Sequence, residues 1–314
     1  MKPIFILAAL GFGLVALAIQ ARSASEWITT DQEVRATNNS PQPLAFLAQD
    51  YQRGGSRRWG GRRRERDPNG RGGVPLWKND EADPSDVFTF VRIKWSRHGG
   101  DYGDDYGGRR RRGSKWQTDY PDADLNLSYR LQQLTSIKTD PNGKILELTD
   151  KELFKYPFIY IIEPGDMRLS EAETVALRTY LERGGFLMVD DFWGEHEWAN
   201  FEREMKRVFP KRPIEDIPLE HEIFNIVYKI KKKPLIPSVH AYQNGNWTER
   251  WDANEPHYRC IKDDSGRLMT VICHNTDLGD GWEQEGADSG YFEEYSEPYA
   301  YPLGINIVTY AMTH

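Results

Sequence analysis

The chain has 314 residues, of which 39% are hydrophobic and 28% are charged, and its formal net charge is −7. This length is enough for one large domain or two small ones. Trp, Tyr and Phe make up 12% of the residues and supply a hydrophobic core in the C-terminal two thirds, which excludes a chain that is disordered throughout. The charge is uneven, because Arg is concentrated before Trp116 whereas residues 277–297 contain acids and no Lys or Arg.

The first segment, residues 1–25, has the pattern of an export signal. Lys2 precedes an uncharged apolar run over residues 4–19, and the small residues of 21–25 suit a cleavage site. The run is shorter than the ~20 residues of a full membrane span. We therefore predict a cleaved signal peptide and a periplasmic or extracellular protein. The alternative is an uncleaved anchor, the one case in which we expect attachment to a membrane.

Residues 26–86 show little periodicity and are predicted to be largely disordered. They include a Gly- and Arg-rich stretch at 53–73, and a second such stretch is inserted at 97–116. Arg-rich segments of this kind bind anionic polymers, here an acidic polysaccharide or lipid headgroups. Nucleic acid is not an expected partner of an exported protein. The alternative is a pair of solvated loops that bind nothing.

Apolar periodicity predicts alternating strands and helices over the folded domain, residues 87–314. The predicted strands lie at 87–95, 145–148, 156–162, 186–190 and 269–273. The predicted helices lie at 124–138, 170–184, around 198–208 and at 304–312. Two S/T-x-x-E patterns predict capping boxes, one at Thr149 and Glu152 and the other at Ser170 and Glu173.

A hairpin is predicted from residues 257–263 and 267–274. Export would permit a disulfide between the two cysteines, Cys260 and Cys273. Pairing about the turn places Cys260 near Met269 instead, which argues against a direct bridge. Two small buried hydrophobic residues are the alternative.

Strands that alternate with helices favour an α/β fold, a mostly parallel sheet with helices on both faces. In such sheets ligands bind outside the C-terminal ends of the strands. These ends are expected to converge on one cleft, and they are residues 95–97, Glu163, Asp190-Asp191 and His274-Asn275.

Acidic and histidine side chains at the strand ends form a first candidate site, which consists of Glu163, Asp190, Asp191, His196 and His274. Oxygen and imidazole donors bind a divalent cation or act as acid and base in a hydrolysis. The structural alternative is that Asp191 caps the next helix, Asp190 binds backbone amides and His196 lies on the surface. The spacing matches no zinc motif such as H-E-x-x-H.

The stretch HNTDLGDGWEQE, residues 274–285, forms a second candidate site with Asp277, Asp280 and Glu283. The spacing of these acids does not match an EF-hand loop, and an acidic loop without a function is the alternative. The chain contains neither a G-x-S-x-G elbow nor a phosphate-binding glycine loop. Neighbouring residues of a strand point to opposite faces, so Cys273 and His274 do not form a nucleophile–base pair. Covalent catalysis is therefore not expected.

Several motifs in order resemble a bacterial family known as domain of unknown function 4159. They are DADLNLSYRL, YPFIYIIEPGDMRLSEAETVALRTYLERGGFLMVDDFWGEHEW, HNTDLGDGWE and a closing G-x-N-x-x-x-Y-A-M-T-H. The resemblance covers roughly residues 87–314. It implies a flavodoxin-like domain related to the class I glutamine-amidotransferase-like superfamily. In true glutamine amidotransferases a cysteine nucleophile follows the strand that GGFLMVDD represents, whereas Asp190, Asp191 and Phe192 stand here, so that activity is not implied.

The leading hypothesis is an exported protein that binds a small ligand or an envelope component at the C-terminal edge of its sheet. One alternative is a metal-dependent hydrolase of an envelope saccharide or peptide. Its divalent cation would be held by Asp190, Asp191 and His274, with Glu163 or Glu283 as the general base. Another alternative is an envelope interaction module that binds anionic polymers through its Arg-rich segments. The residues expected at the site are Glu163, Asp190, Asp191, His196, His274, Asn275, Asp277, Asp280 and Glu283.

Overall fold

The computed structural model describes residue 71 and residues 73–79, 86–96 and 114–314. The predicted signal peptide, most of the N-terminal segment and most of the inserted Arg-rich stretch lie outside these residues. Within the described residues, no helix combines the length and the apolar character that crossing a membrane requires.

The strands are β1 (Val87–Phe88), β2 (Val91–Ile93), β3 (Lys138–Thr139), β4 (Lys144–Leu146), β5 (Phe158–Ile162), β6 (Phe186–Asp190), β7 (Glu215–Asp216), β8 (His257–Cys260) and β9 (Thr270–His274). Seven of them form one sheet in the order β4-β2-β5-β6-β9-β8-β7, and β1 pairs with β3 in a separate two-stranded sheet. The first five strands of that order are parallel, and the antiparallel strands β8 and β7 extend the sheet at one edge. When the five parallel strands are numbered along the chain, their order across the sheet is 2-1-3-4-5, which is the order of flavodoxin-like folds. The predicted α/β class with a mostly parallel sheet is confirmed.

Helices cover both faces of the sheet, as predicted. On one face, Leu127, Trp282 and Leu303 belong to a single apolar core. On the other face, Leu177 and Phe201 belong to a second core. The helices are α1 (Asp122–Leu134), α2 (Glu171–Glu182), α3 (Gly194–Val208), α4 (Val239–Gln243), α5 (Leu278–Glu283), α6 (Ser289–Tyr291) and α7 (Tyr301–Thr313), with a π-helical segment at Phe292–Ala300.

Two predicted elements differ from the structure in their extent. The predicted strand at 87–95 is divided, because β1 leaves the main sheet to pair with β3 and only Val91–Ile93 joins β4 and β5. The predicted helix at 124–138 ends at Leu134, because Thr135 is extended and its hydroxyl accepts a hydrogen bond from the Ile137 amide.

Of the two predicted capping boxes, one forms. The Ser170 hydroxyl accepts a hydrogen bond from the Glu173 amide, and the Glu173 carboxylate accepts one from the Ser170 amide. The box predicted at Thr149 and Glu152 is wrong, since Asp150 precedes the 3₁₀ helix Lys151–Lys155 without a side-chain cap.

The predicted hairpin is confirmed as the antiparallel pair β8–β9. Its register places Tyr258 opposite Cys273 and Arg259 opposite Ile272, so Cys260 does not face Cys273. Both cysteines are buried free thiols. The closing helix predicted at 304–312 is also confirmed, and α7 extends it at both ends.

Candidate functional site

The backbone at the C-terminal edge of the sheet is left-handed at four residues other than glycine. In the described part of the chain, the non-glycine residues with positive φ are Asp119 (62°), Glu163 (47°), Asp191 (54°) and Asn275 (59°). Asp119 lies just before α1, and the other three directly follow β5, β6 and β9. Such backbone is uncommon outside glycine and concentrates at functional sites. It therefore marks this edge as the candidate site.

Asp190, the last residue of β6, is fully buried at this edge. Its Oδ2 accepts hydrogen bonds of 2.9 Å from the amides of Leu278 and Gly279 and one of 3.2 Å from the Tyr160 hydroxyl. Its Oδ1 is buried and has no hydrogen-bond partner among the described residues. Burial raises the pKa of Asp190 to about 7, although the hydrogen bonds to Oδ2 lower it. Asp190 thus anchors the first turn of α5.

Three further carboxylates converge next to this turn. Asp119, Asp280 and Glu283 each place one oxygen within 4.8 Å of the oxygens of the other two. The Oδ2 atom of Asp119 is buried and lacks a hydrogen-bond partner within the described structure. Gly279 lies directly against it, because a Cβ at this position would collide with that oxygen. Since the Gly279 amide also binds Asp190, the start of α5 links all four carboxylates.

Asp191 and Asp277 are buried beside this group. The Oδ1 of Asp191 accepts a 2.8 Å hydrogen bond from the Trp193 indole, and Asp277 caps α5 by accepting one of 2.7 Å from the Asp280 amide. Asp191 does not cap the following helix, since Trp193 is the residue before its first turn. We refer to the six acids together as the carboxylate cluster, which consists of Asp119, Asp190, Asp191, Asp277, Asp280 and Glu283.

Repulsion between neighbouring acids adds to the effect of burial in the carboxylate cluster. Burial and then the charges of Asp280 and Glu283 raise the pKa of Asp119 well above its ordinary value. Burial and then the charges of Asp191 and Asp280 do the same to the pKa of Asp277. Buried carboxylates that repel one another bind either protons or a cation. The cluster therefore has the electrostatics of a cation site.

Glu163 lies at the rim of the cluster and is held by its neighbours. Its carboxylate accepts a hydrogen bond from the Thr118 hydroxyl and lies 3.4 Å from the Lys115 ammonium. Lys115 also pairs with Asp166 at 3.0 Å. The charge of Glu163 contributes, after burial, to a pKa of Asp191 well above its ordinary value. Glu163 thus connects the segment before α1 to the end of β5.

The two candidate histidines lie apart from the carboxylate cluster. The His274 ring packs against Phe192 and Trp198, with centroids 4.8 and 5.2 Å apart, and its Nε2 is 3.2 Å from the Gly194 carbonyl oxygen. Burial lowers the pKa of His274 to about 3, so the ring is neutral at pH 7. His196 is exposed on α3 and lines a separate surface cavity of about 430 Å³.

The predicted metal ligands Asp190, Asp191 and His274 are not assembled, because Asp190 and His274 point to opposite faces of the sheet. Cys273 belongs to the same core as Tyr160, the partner of Asp190, whereas His274 packs with Phe192 of the other core. Asn275 has a structural role at this edge. Its side chain accepts a hydrogen bond of 2.8 Å from the Gly194 amide and donates one of 2.9 Å to the Glu255 carbonyl.

A family model described as a domain of unknown function, DUF4159, matches residues 105–312. The chain belongs to the DUF4159 family. The resemblance predicted from the motifs is confirmed at this level, and the match contains the entire carboxylate cluster. It begins after β2, although that strand lies inside the sheet of this DUF4159 chain. No curated protein matches the chain.

Among the acids of the DUF4159 cluster, Asp119 is missing from the site residues predicted from the sequence. Its position in the chain could have predicted it, because it lies in the stretch TDYPDAD at the start of the first long helix. In a parallel α/β sheet each crossover helix begins near the C-terminal edge of the strand before it. An acid at the start of α1 therefore belongs with the acids at the strand ends.

The donor chemistry of the cluster fits a hard cation. The converging groups are all carboxylates, which suit Mg²⁺, Ca²⁺ and Mn²⁺ better than zinc. Oxygens bound to Ca²⁺ at 2.3–2.6 Å lie up to about 5 Å apart when they are on opposite sides of the ion. The 4.8 Å spread of Asp119, Asp280 and Glu283 is within this limit.

Proposed function

We propose that this DUF4159 protein is exported and binds a divalent cation at its carboxylate cluster, through which it holds a ligand in the cleft at the strand ends. The observation that carries the proposal is the convergence of Asp119, Asp280 and Glu283 beside two buried carboxylate oxygens, Asp119 Oδ2 and Asp190 Oδ1, that have no partner among the described atoms. Leaving a buried polar group without a partner is costly, and a cation held by Asp119, Asp280 and Glu283 would give the Asp119 carboxylate a partner and offset the negative charge around it.

Protons are the competing occupants of the cluster. They would neutralise the carboxylates at acidic pH, and burial favours this form. A cation and protons differ in their dependence on pH, because a cation binds more tightly as the carboxylates lose protons. Stabilisation by metal that grows from pH 5 to pH 8 would therefore support the cation.

The exposure of the cluster supports a role beyond holding the fold together. Asp119 and Glu283 are half-buried, whereas Asp277 and Asp280 are buried. An ion held by these groups would keep coordination positions open toward solvent, as ions that bind ligands or substrates do. A ligand with oxygen donors would then complete the coordination sphere.

Two further parts of the proposal rest on sequence and topology. Export is supported by the signal pattern of residues 1–25. A relation to the glutamine-amidotransferase-like superfamily is supported by the 2-1-3-4-5 strand order. Asp191 follows β6 in a left-handed conformation, where the cysteine nucleophile of that superfamily is expected. The proposed activity is therefore cation-dependent binding and not amide transfer.

The test is a cation titration of the full-length chain after treatment with a chelator. Mg²⁺, Ca²⁺, Mn²⁺ and Zn²⁺ are added separately, the bound ion is counted by elemental analysis, and Tm is measured. We expect one ion per chain. At an ion concentration of 100 times Kd the stabilisation would be about 2.7 kcal/mol, which corresponds to a rise in Tm of roughly 5–10 °C.

Matched variants separate the cluster from other acids. Asp280→Asn combined with Glu283→Gln should abolish the rise in Tm. Asp264→Asn should retain it, because Asp264 is 94% exposed in the turn of the β8–β9 hairpin, at the opposite edge of the sheet. The proposal fails if no ion binds, or if the double variant responds as the wild type does.

A further inference from the structure

Two tryptophans are presented to solvent beside the cleft. Trp251 is 89% exposed and Trp247 is 63% exposed, whereas Trp95, Trp193 and Trp282 are buried. Tryptophan is enriched at interaction sites because its ring is apolar and its indole N–H is polar. The segment that carries them, residues 246–256, is called the tryptophan loop below.

The tryptophan loop is held firmly in place at its own ends. The Asn246 amide donates to the Ala241 carbonyl at 2.9 Å, and the Thr248 hydroxyl donates to the Ala253 carbonyl at 2.9 Å. Ala253 itself is fully buried. The two indoles therefore project from an ordered loop, which lowers the entropy lost when a ligand binds to them.

Contacts on both sides of Trp251 join the loop to the start of α3. Arg250 pairs with Glu197 of α3 at 2.5 Å, and the Asp252 carboxylate accepts a hydrogen bond of 3.1 Å from the Glu195 amide. The Glu255 carbonyl in the loop accepts a hydrogen bond of 2.9 Å from Asn275, which directly follows β9. The first amide of α4, the helix before the loop, donates one of 2.7 Å to Asp280 of the carboxylate cluster. The tryptophan loop thus lies at the same edge of the sheet as the cluster.

We infer that the ligand of this cleft is a pyranose oligosaccharide, which stacks on Trp251 and Trp247 and reaches the carboxylate cluster with its hydroxyls. This inference rests on the cation-binding function proposed above. A pyranose ring has a flat face of C–H groups and a rim of hydroxyls, so it matches an indole on one side and an oxygen-coordinated cation on the other. Aromatic rings with a polar site next to them suit such an amphipathic ligand.

The charge of the cleft is consistent with this class of ligand. The carboxylates of the cluster, with Glu163 and Glu249 beside them, repel anionic ligands unless a cation intervenes. A neutral saccharide carries no such penalty, and its hydroxyls donate hydrogen bonds to carboxylates as well as coordinating a cation.

The experiment is isothermal titration of the full-length chain, in saturating Ca²⁺, with soluble chito-, cello- and malto-oligosaccharides. Tryptophan fluorescence provides a second signal, since stacking on an exposed indole changes its emission. We expect at least one of these series to bind. Trp251→Ala should weaken its Kd by about ten-fold or more, and Trp247→Ala should do so to a similar or smaller extent.

Phe154→Ala is the matched control. Phe154 is a 45% exposed aromatic residue that contacts Tyr180 near the end of α2, away from the cleft, and its loss should leave the affinity unchanged. The tryptophan variants should also keep the full rise in Tm with Ca²⁺, because their indoles do not belong to the carboxylate cluster.

The outcomes separate this inference from the function on which it rests. A protein that shows the Ca²⁺-dependent rise in Tm but binds none of the three series overturns the saccharide inference and leaves cation binding standing. If Trp251→Ala and Trp247→Ala bind the saccharide with unchanged affinity, the saccharide inference is likewise overturned and cation binding stands. Tryptophan-dependent saccharide binding that is equally strong in a chelator would instead overturn the role of the cation in holding the ligand.

Discussion

Arg92 connects the interior of the sheet to the segment that carries Asp119. Its guanidinium pairs with Asp124 of α1, with Nη2 2.5 Å from Oδ1, and both side chains are buried. The Nη1 atom donates to the carbonyls of Trp116 and Thr118 at 3.1 and 2.8 Å. Because Asp119 follows Thr118 directly, Arg92 fixes the backbone from which Asp119 enters the carboxylate cluster.

Replacing Arg92 should reduce both stability and cation affinity. Arg92→Met leaves the Asp124 carboxylate buried without its partner, and breaking such a pair costs about 3–5 kcal/mol. It also removes the donors to Trp116 and Thr118, so Asp119 loses its fixed position. Urea unfolding measures the first effect, and a Ca²⁺ titration of the folded protein measures the second.

A double variant separates these two effects. In Arg92→Met with Asp124→Leu no charge is left unpaired, and replacing a buried pair by apolar residues is often neutral for stability. We expect stability to recover largely while cation affinity stays reduced, because the carbonyls of 116 and 118 still lack their donor. Full recovery of Ca²⁺ binding would show that Arg92 does not position Asp119.

The sequence predicts which acids lie at the strand ends, but not the face of the sheet toward which each side chain points. Asp190 and Asp191 were expected at the end of a buried strand, and β6 ends at Asp190. Their relation to His274 depends on the register of β6 with β9, in which Val189 lies opposite Ile272. Hydrophobic strands that are buried on both faces carry no alternation from which such a register is inferred. The sequence therefore predicts the edge at which His274 lies but not its separation from Asp190.

At the scale of the elements, α5 is a helix whose sequence resembles a loop. Residues 278–283 contain two glycines, which disfavour a helix. Close packing in the folded chain requires both glycines, since a Cβ at Gly279 would collide with Asp119 and a Cβ at Gly281 would collide with Ala300. Both contacts join parts of the chain that are distant in sequence. The one feature of this stretch that predicts the start of a helix is Asp277, which caps α5.

The capping box of α2 provides a test of stability that is separate from the site. Ser170→Ala removes the acceptor for the Glu173 amide at the start of a helix that contributes no residue to the carboxylate cluster. We expect a loss of about 1 kcal/mol in the free energy of unfolding, measured with urea. The rise in Tm with Ca²⁺ should be unchanged. A reduced rise would mean that general destabilisation, and not the cluster, controls the response to the ion.

At the scale of the whole molecule, topology gathers acids from distant parts of the chain. Asp119 precedes α1, Asp190 ends β6 and Asp191 follows it, and Asp277 and Asp280 follow β9. Since β5, β6 and β9 run parallel, their C-terminal ends meet at one edge. A chain with a net charge of −7 thereby concentrates buried negative charge at one point. The cost of that arrangement should appear in the dependence of stability on pH.

The carboxylate cluster should make the metal-free protein less stable as pH rises. Its five aspartates have raised pKa values in the folded state, about 7 for Asp190 against an ordinary 3.8, so the folded chain keeps protons that the unfolded chain releases. Their contribution is therefore lost between about pH 4 and pH 7 and is absent at pH 8. His274 acts in the opposite sense, because its lowered pKa costs stability as pH falls below about 6.5.

Asp190→Asn isolates the contribution of one acid from that of His274. In a chelator, the variant and the wild type should have similar stability near pH 4, where Asp190 is protonated in the folded state and only about half ionised in the unfolded state. At pH 8 the variant should be more stable by on the order of 3–4 kcal/mol, because the wild type must ionise a buried carboxyl group. Saturating Ca²⁺ should stabilise the wild type more than the variant, since the ion offsets that charge. Urea unfolding at pH 4, 6 and 8 measures the difference in the free energy of unfolding between the variant and the wild type. A difference that does not vary with pH would mean that burial does not raise the pKa of Asp190. Its charge would then not need a cation.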